Sequence, residues 1–426
     1  MDSLIVGFFK QVSEALGLTI AGQALVAGLA ILTVLAYRFG FFRGKRNDET
    51  WRKLRIAANE AAELRDRTEQ LTKTLDEKKA ALAAANRENR KYRALRKSLL
   101  GGDEGLWTLH GSEPYAGYDK DVLSSELEII TVMNLKGGVG KTTIATNLAA
   151  YFSDPNLLNK RVLIVDMDYQ GSATNAILPI TQHGTLDGVS VLNIFQKTPS
   201  TVSVNDAVLK LVGSPMPDCG IVPCEFGFAA VEDGLMVKWL MQEIDFDPRY
   251  MLSQFLHRAA ITSKYDIVII DAPPRLSMGA INALCASQSV IVPAMADKLS
   301  IDAVRNFVER VNGIKAQVNQ SLVKAFFVLN GTKQAHRSAV ESELWSIITG
   351  DDYGRAWDGK YFMVDRCIPR RAVFASSLNN ATLAYFQNDA TASVPIKDII
   401  RQFGDEVARG LNIPGILSES YREGER

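Results

Sequence analysis

The chain has few cysteines and no net charge, and both features narrow its possible functions. Only four of its 426 residues are cysteine, namely Cys219, Cys224, Cys285 and Cys367. They show neither a C-x-x-C spacing nor a companion histidine cluster. This pattern predicts reduced thiols in the core of a cytosolic domain, and it disfavours a disulfide framework or a zinc site. The 48 basic and 48 acidic side chains balance. The overall composition therefore does not indicate a dedicated nucleic-acid binder.

Charge is absent from residues 15–37, which are rich in Leu, Ile, Val and Ala. At about 1.5 Å per residue, such a helix is long enough to cross a hydrocarbon layer of about 30 Å. Aromatic and basic residues follow it, and this places its C-terminal side in the cytoplasm. We therefore expect a single-pass protein of the inner membrane with its N-terminus outside, and a short amphipathic segment over residues 1–14. The alternative is a buried core helix.

Glycine and proline are absent from residues 47–100, which are dense in Ala, Glu, Lys, Arg and Leu. That composition predicts a long helix. Steps of three and four residues from Leu54 place Leu75 and Leu82 at heptad position a, with Leu64 and Leu71 at d. We therefore expect a coiled coil over residues 47–100, compatible with a parallel homodimer. A single solvated helix remains the alternative, because Ala and Lys at several core positions weaken the seam.

Glycines interrupt all periodicity over residues 101–125, which indicates a linker. From Leu127 onward, short apolar runs alternate with helical stretches, the pattern of an α/β fold with a mainly parallel sheet covered by helices. We assign residues 126–415 to this domain and residues 416–426 to a C-terminal tail. In doubly wound sheets the ligand lies at the carboxyl ends of the strands. Five apolar runs are the expected strands: 129–133, 162–165, 267–270, 290–292 and 326–329.

The first of these runs leads into a glycine-rich loop and then an amphipathic helix. Glycines allow the loop to turn tightly and to point backbone N–H groups at phosphate oxygens, and the helix N-terminus favours the same anion. Lys141 would reach the β- and γ-phosphates, and the Thr142 hydroxyl would hold Mg²⁺. The usual phosphate-loop pattern is G-x-x-x-x-G-K-[ST], and this chain has Leu135 where that pattern has its first glycine. A second lysine, Lys136, begins the loop.

This loop resembles the deviant Walker A motif, K-G-G-x-G-K-T-[ST], of the ParA/MinD partition and positioning ATPases. In that family the early lysine reaches across a dimer interface to the partner's nucleotide, and the resemblance implies this role for Lys136. The implied nucleotide-binding residues are Lys136, Gly137, Gly138, Val139, Gly140, Lys141, Thr142, Thr143 and Asn330.

Two further strand ends carry the same resemblance. Residues 166–174 are similar to the family's D-x-D-P-Q-G-N-A-T segment, with Tyr169 in place of proline and Ser172 in place of asparagine. Residues 271–274 are similar to its D-x-P-P segment and are followed by Arg275, where a small residue is usual. The resemblance implies that Asp168 orients the attacking water. It also implies a metal site formed by Thr142, Asp166 and Asp271.

The expected function is therefore a membrane-anchored, dimeric ATPase switch that binds ATP and Mg²⁺, hydrolyses ATP slowly, and recruits or positions an unidentified protein complex. The homodimer would form through the coiled coil and through the ATP sandwich. Two rival functions remain, a bacterial tyrosine-kinase-like enzyme and a non-catalytic scaffold that holds nucleotide. Non-specific DNA binding is a further possibility, for which Arg366, Arg370 and Arg371 give thin support.

Overall fold

The structure is a computed structural model, and it forms two compact units, residues 1–94 and residues 95–426. The described residues are 46–100, 106–108, 114–181, 185–197, 200–331, 337–349, 357–365, 368–369, 371–374, 382–387, 394–414 and 423–425, together with Gly7, Ile31 and Val34.

A long helix, α1, runs from Arg46 to Leu100, and all but its last six residues belong to the first unit. Four leucines at predicted a and d positions are exposed on it: Leu64 (65%), Leu71 (64%), Leu75 (53%) and Leu82 (62%). A single solvated helix would not normally keep such a row of leucines in register, so the pattern suits a partner helix. Helix α1 matches the long helix expected from the sequence, whereas its pairing into a coiled coil stays a prediction.

The predicted localisation, a single-pass inner-membrane protein with an external N-terminus, is contradicted. Across the part of the chain that the structure describes, no helix is both long enough and apolar enough to span a membrane. The long helix there, α1, has charged side chains along its whole length. The predicted amphipathic segment 1–14 and membrane helix 15–37 lie outside the described residues, apart from Gly7, Ile31 and Val34.

A nine-stranded sheet forms the centre of the second unit, and its strand order is β3-β4-β2-β5-β1-β6-β7-β8-β9. Seven neighbouring strands, from β4 to β8, are parallel, and each edge adds one antiparallel strand. This confirms the mainly parallel α/β sheet predicted from the sequence. The strands are β1 (Glu128–Val132), β2 (Val162–Asp166), β3 (Leu209–Lys210), β4 (Gly220–Val222), β5 (Ile267–Asp271), β6 (Ser289–Ala294), β7 (Lys324–Leu329), β8 (Lys360–Met363) and β9 (Glu423–Glu425).

Helices cover both faces of the sheet because its central strands bury side chains on both sides. Ile129 and Ile130, adjacent on β1, belong to two different hydrophobic clusters. The helices are α2 (Tyr118–Ser124), α3 (Lys141–Ser153), α4 (Ser172–Ile177), α5 (Leu192–Gln196), α6 (Val204–Ala207), α7 (Phe228–Leu240), α8 (Met251–Leu256), α9 (Ala259–Thr262), α10 (Met278–Ala286), α11 (Lys298–Val318), α12 (Arg337–Thr349) and α13 (Ile396–Gly410). Helices α10 and α11 pack in the cluster that contains Ile129, and α3 and α13 pack in the other.

Part of the segment predicted as a linker, residues 101–125, packs into this domain. Trp107, Tyr118 and Val122 are buried in its core. The Trp107 indole stacks on Trp239 at a centroid distance of 6.2 Å. The backbone carbonyl of Trp107 accepts a hydrogen bond of 2.5 Å from the buried guanidinium of Arg249. The folded domain therefore uses residues N-terminal to position 126.

The thiols of the three described cysteines, at positions 219, 224 and 285, are free and buried. Burial raises the pKa of each of these thiols, so they are protonated and unreactive at neutral pH. This agrees with the prediction of core thiols. Cys367 lies outside the described residues.

Candidate functional site

The glycine-rich loop between β1 and α3 has a backbone that only glycine tolerates at two positions. Gly138 and Gly140 have φ values of 75° and 88°, in the left-handed region. A Cβ on Gly140 would lie 1.9 Å from Nδ2 of Asn330. That amide in turn donates to the carbonyl of Val139 at 2.7 Å, so the end of β7 supports the loop.

A second asparagine fixes the start of the loop. The Asn134 side chain is fully buried, and it donates to the carbonyl of Pro293 at 2.6 Å while accepting from the backbone N–H of Lys136 at 3.1 Å. It therefore ties the loop to β6. Sequence reasoning missed this residue, because an asparagine after a strand is also an ordinary turn residue.

The loop and the first turn of α3 line a cavity of about 540 Å³. Lys141 is only 8% exposed, and its ammonium donates to the carbonyl of Lys136 at 3.2 Å. Burial lowers the pKa of Lys141, while the nearby charges of Asp271 and Asp168 oppose that shift and favour the ammonium. The cavity is lined by Gly137, Gly138, Gly140, Lys141, Thr142, Thr143, Thr146, Asn147, Asp168, Gln170, Ser172, Asn175, Ala176, Pro274, Phe374, Thr382 and Leu383.

Two buried carboxylates lie side by side close to this cavity, although neither is among the residues that line it. Asp166 and Asp271 end the neighbouring strands β2 and β5 and are paired in register. Burial raises the pKa of both groups, and the charge of Asp166 raises that of Asp271 further. A nearby cation would offset the cost of ionising this pair.

Asp271 has the features of a magnesium ligand. Its Oδ2 accepts a hydrogen bond of 2.7 Å from the Thr142 hydroxyl, while its buried Oδ1 has no hydrogen-bond partner among the residues that the structure describes. The described residues contain no group of three or more His, Cys, Asp or Glu side chains suited to a metal. Mg²⁺ bound with a nucleotide needs no such group, because it keeps several waters and takes only one or two carboxylates plus phosphate oxygens. Thr142 and Asp271 fit that requirement.

Asp166 is engaged by the segment that follows it. Its Oδ2 accepts from the backbone N–H and the hydroxyl of Thr174, both at 2.8 Å, and its Oδ1 accepts from the N–H of Asp168 at 3.1 Å. The structure thus gives Asp166 a role in holding residues 168–174 in place. Its predicted role at the metal stays a prediction. Asp168 lines the cavity with one carboxylate oxygen bonded to the N–H of Gln170 at 3.1 Å.

Lys136 does not line the cavity. Its ammonium forms an ion pair with Asp297 of the same chain at 2.6 Å, and Asp297 also caps α11 by accepting from the N–H of Ser300 at 2.9 Å. Both partners are partly exposed. Asn330 likewise lies outside the cavity, against the loop, and its predicted contact with the nucleotide stays a prediction.

The far wall of the cavity comes from the C-terminal part of the chain, which sequence reasoning did not assign to the site. Phe374, Thr382 and Leu383 line that wall. The backbone N–H of Tyr385 donates to Oδ1 of Asn147 on α3 at 2.8 Å and so fastens this segment to the helix. An asparagine inside a helix gave no signal of this contact in the sequence.

Comparison with known proteins places the chain in a family. Residues 127–324 match a family model described as an AAA domain. The chain is 30% identical over 210 residues to the chromosome-partitioning ATPase Soj of Thermus thermophilus, a match that covers 47% of this chain and 68% of that protein. It belongs to the ParA/Soj family of P-loop ATPases. A second ParA/Soj relative, the sporulation initiation inhibitor protein Soj of Bacillus subtilis, is 30% identical over 200 residues, covering 46% of this chain and 69% of that protein.

The ParA/Soj assignment agrees with the fold. A solved structure of a Cyanothece McdA variant in complex with ATP is similar, with a TM-score of 0.52 and 17% identity over 69% of this chain and 100% of that one. At this identity the likeness concerns the fold alone. Helix α1 lies outside the residues that the family model matches.

Proposed function

We propose that two copies of this chain hold two ATP molecules between them and act as a switch that recruits or positions a partner complex. The observation that carries the proposal is the convergence of the phosphate loop, Lys141, Thr142 and Asp168 on one cavity. The curated relatives include proteins named for chromosome partitioning and for cell division, and positioning of a cargo is the activity that we carry over to this chain.

The proposed roles are divided among a few groups in and beside the cavity. The loop N–H groups and the buried ammonium of Lys141 would hold the β- and γ-phosphates, and Asp168 would orient the attacking water. Thr142 and Asp271 would hold Mg²⁺. The ion would neutralise charge on the phosphate oxygens when bound. Hydrolysis would reopen the pair and reset the switch.

Lys136 has two alternative partners in this scheme. In the structure it is paired with Asp297 of its own chain, and in the proposed dimer it would exchange that carboxylate for the phosphates of the partner's nucleotide. The exposed leucines of α1 offer a second, nucleotide-independent contact between two chains, in the parallel coiled coil that we also propose.

Substitution of Lys136 by alanine should abolish the ATP-dependent association of the nucleotide domains, because the cross-subunit charge on the phosphates is lost. Sedimentation of the full chain with ATP and with ADP checks this. The wild type should gain mass in ATP or, if α1 already pairs the chains, sediment faster at constant mass.

Asp297→Asn is the matched variant, and it should change ATP-dependent association in the opposite direction. Asparagine still caps α11 but no longer retains Lys136, so ATP-dependent association should strengthen by up to about fivefold, the limit for a partly exposed ion pair. Lys264→Ala, which changes an exposed lysine outside the cavity, should behave as wild type. An ATP response of Lys136→Ala equal to that of Lys264→Ala would refute the cross-subunit role.

A further inference from the structure

Two of the three positions at which the segments after β2 and β5 depart from the family pattern, Tyr169 and Arg275, lie against each other. Tyr169 follows Asp168 after β2, and Arg275 follows the two prolines after β5. The guanidinium carbon of Arg275 lies 5.3 Å from the centre of the Tyr169 ring, within the range of a cation–π contact. One departure thus provides the contact partner of the other.

Arg275 also forms an ion pair with a buried carboxylate, that of Glu232. One of its terminal nitrogens lies 3.6 Å from Oε2 of Glu232 on α7, a side chain that is only 3% exposed. The other oxygen of Glu232 accepts hydrogen bonds of 2.6 Å from the Ser277 hydroxyl and from the N–H of Gly279. Helix α7 thereby holds both Arg275 and the start of α10, and the arginine supplies the positive charge that the buried carboxylate needs.

Tyr169 also contacts an aromatic ring in the segment that follows β4. Its ring meets the ring of Phe226 edge-on at a centroid distance of 5.7 Å. Phe226 comes shortly after β4, and it is 78% exposed. The row Glu232–Arg275–Tyr169–Phe226 therefore joins the segments that follow β5, β2 and β4, three adjacent strands of the sheet.

We infer that Tyr169 and Arg275 are positioning residues for ATP hydrolysis, because their stack fastens the segment that carries Asp168 to the segment that follows Asp271. This rests on the proposed ATPase function. The residues on each side of Tyr169 both line the cavity, namely Asp168 and Gln170, and so does Pro274 beside Arg275. A displacement of either segment would move a wall of the nucleotide site.

The stack should change the turnover of ATP more than its binding. Neither side chain lines the cavity, so the phosphate cradle would stay intact without them. A partly exposed cation–π contact corresponds to about a two- to fivefold bias toward the arrangement in which Tyr169 and Arg275 are stacked. Arg275→Gln and Tyr169→Leu should each lower kcat by about that factor with KM for ATP unchanged, whereas Tyr169→Phe, which keeps the ring, should retain wild-type kcat.

A double-mutant cycle separates a shared contact from two unrelated effects. Arg275→Gln combined with Tyr169→Leu should lower kcat no further than either change alone. Arg258→Gln is the matched control, since it removes an arginine that lies 5.6 Å from the Phe255 ring and outside the cavity. Its kcat should equal that of the wild type. Losses in the double variant that multiply, or single variants with wild-type kcat, would overturn the inference.

Hydrogen exchange reads the same contact without hydrolysis. Amides 168–172 of the full chain should exchange about two- to fivefold faster in Arg275→Gln and in Tyr169→Leu than in the wild type, with no change in Arg258→Gln. Unchanged exchange at these amides would overturn the inference whatever the activity. A wild-type chain that binds ATP without hydrolysing it would refute the proposed function, and the exchange measurement would still decide whether the stack holds the Asp168 segment.

Discussion

Lys141→Ala should abolish nucleotide binding. The ammonium is buried at the base of the phosphate loop, and the carbonyl of Lys136 holds it there at 3.2 Å. Removal of one member of a buried charge pair costs about 2–5 kcal/mol of binding free energy, or about 30-fold or more in affinity. Titration of the protein with a fluorescent ATP analogue measures the loss directly.

The control for this change is again Lys264→Ala, which removes the same charge from an exposed position. It should bind ATP as the wild type does, and both variants should have wild-type circular dichroism. ATP affinity within about threefold of wild type in Lys141→Ala would mean that the loop is not the phosphate site.

Asp168→Ala should bind ATP normally and lose turnover by at least about 100-fold, the usual contribution of a residue that positions or deprotonates the nucleophile. Its carboxylate lines the cavity but belongs to the segment after β2 and not to the loop, so the phosphate cradle stays intact. Steady-state phosphate release and equilibrium ATP binding, measured on one preparation, separate the two effects.

Asp245→Ala serves as the control for Asp168→Ala, because it removes an exposed carboxylate that does not line the cavity. Its turnover should match the wild type. Equal losses of ATP binding and of turnover in Asp168→Ala would show that the carboxylate supports the fold of the site and has no separate role in hydrolysis.

The sheet and the phosphate loop could be predicted because their signals are local. Apolar runs mark buried parallel strands, and the glycines between β1 and α3 mark a loop that needs left-handed backbone. The strand-end rule then places Asp166 and Asp271 together, and the structure brings these two carboxylates into register on adjacent strands.

Contacts between distant parts of the chain could not be predicted in this way. The pairing of Lys136 with Asp297, and of Tyr169 with Arg275, joins residues more than 100 positions apart. The docking of Trp107 into the core follows from contacts with Trp239 and Arg249 that no local pattern marks. A glycine-rich stretch looks like a linker in the sequence even where an aromatic side chain within it is buried.

Exposed leucines on α1 illustrate a different limit. A heptad pattern specifies which side of a helix is apolar, but it does not show whether a second helix covers that side. The predicted single-pass membrane localisation was wrong. It was drawn from hydropathy and flanking charge alone, whereas the long helix in the described part of the chain, α1, is charged, and no described helix is both long enough and apolar enough to span a membrane.

The central claim is that Lys136 acts on the nucleotide of the partner chain, and a mixing experiment tests it most directly. Lys136→Ala lacks the lysine that we propose reaches across, and Asp168→Ala lacks the carboxylate that we propose orients its own water, while both should still bind ATP. In a mixed dimer, the Lys136→Ala chain keeps its own Asp168 and receives Lys136 from its partner, so one of the two sites is complete. Once chains paired through α1 have exchanged partners at random, a 1:1 mixture of the two variants should therefore regain about one-quarter of wild-type ATPase activity, because half of the dimers are mixed and each has one working site. A mixture no more active than the average of its two components would contradict the claim and would place Lys136 in its own chain's site.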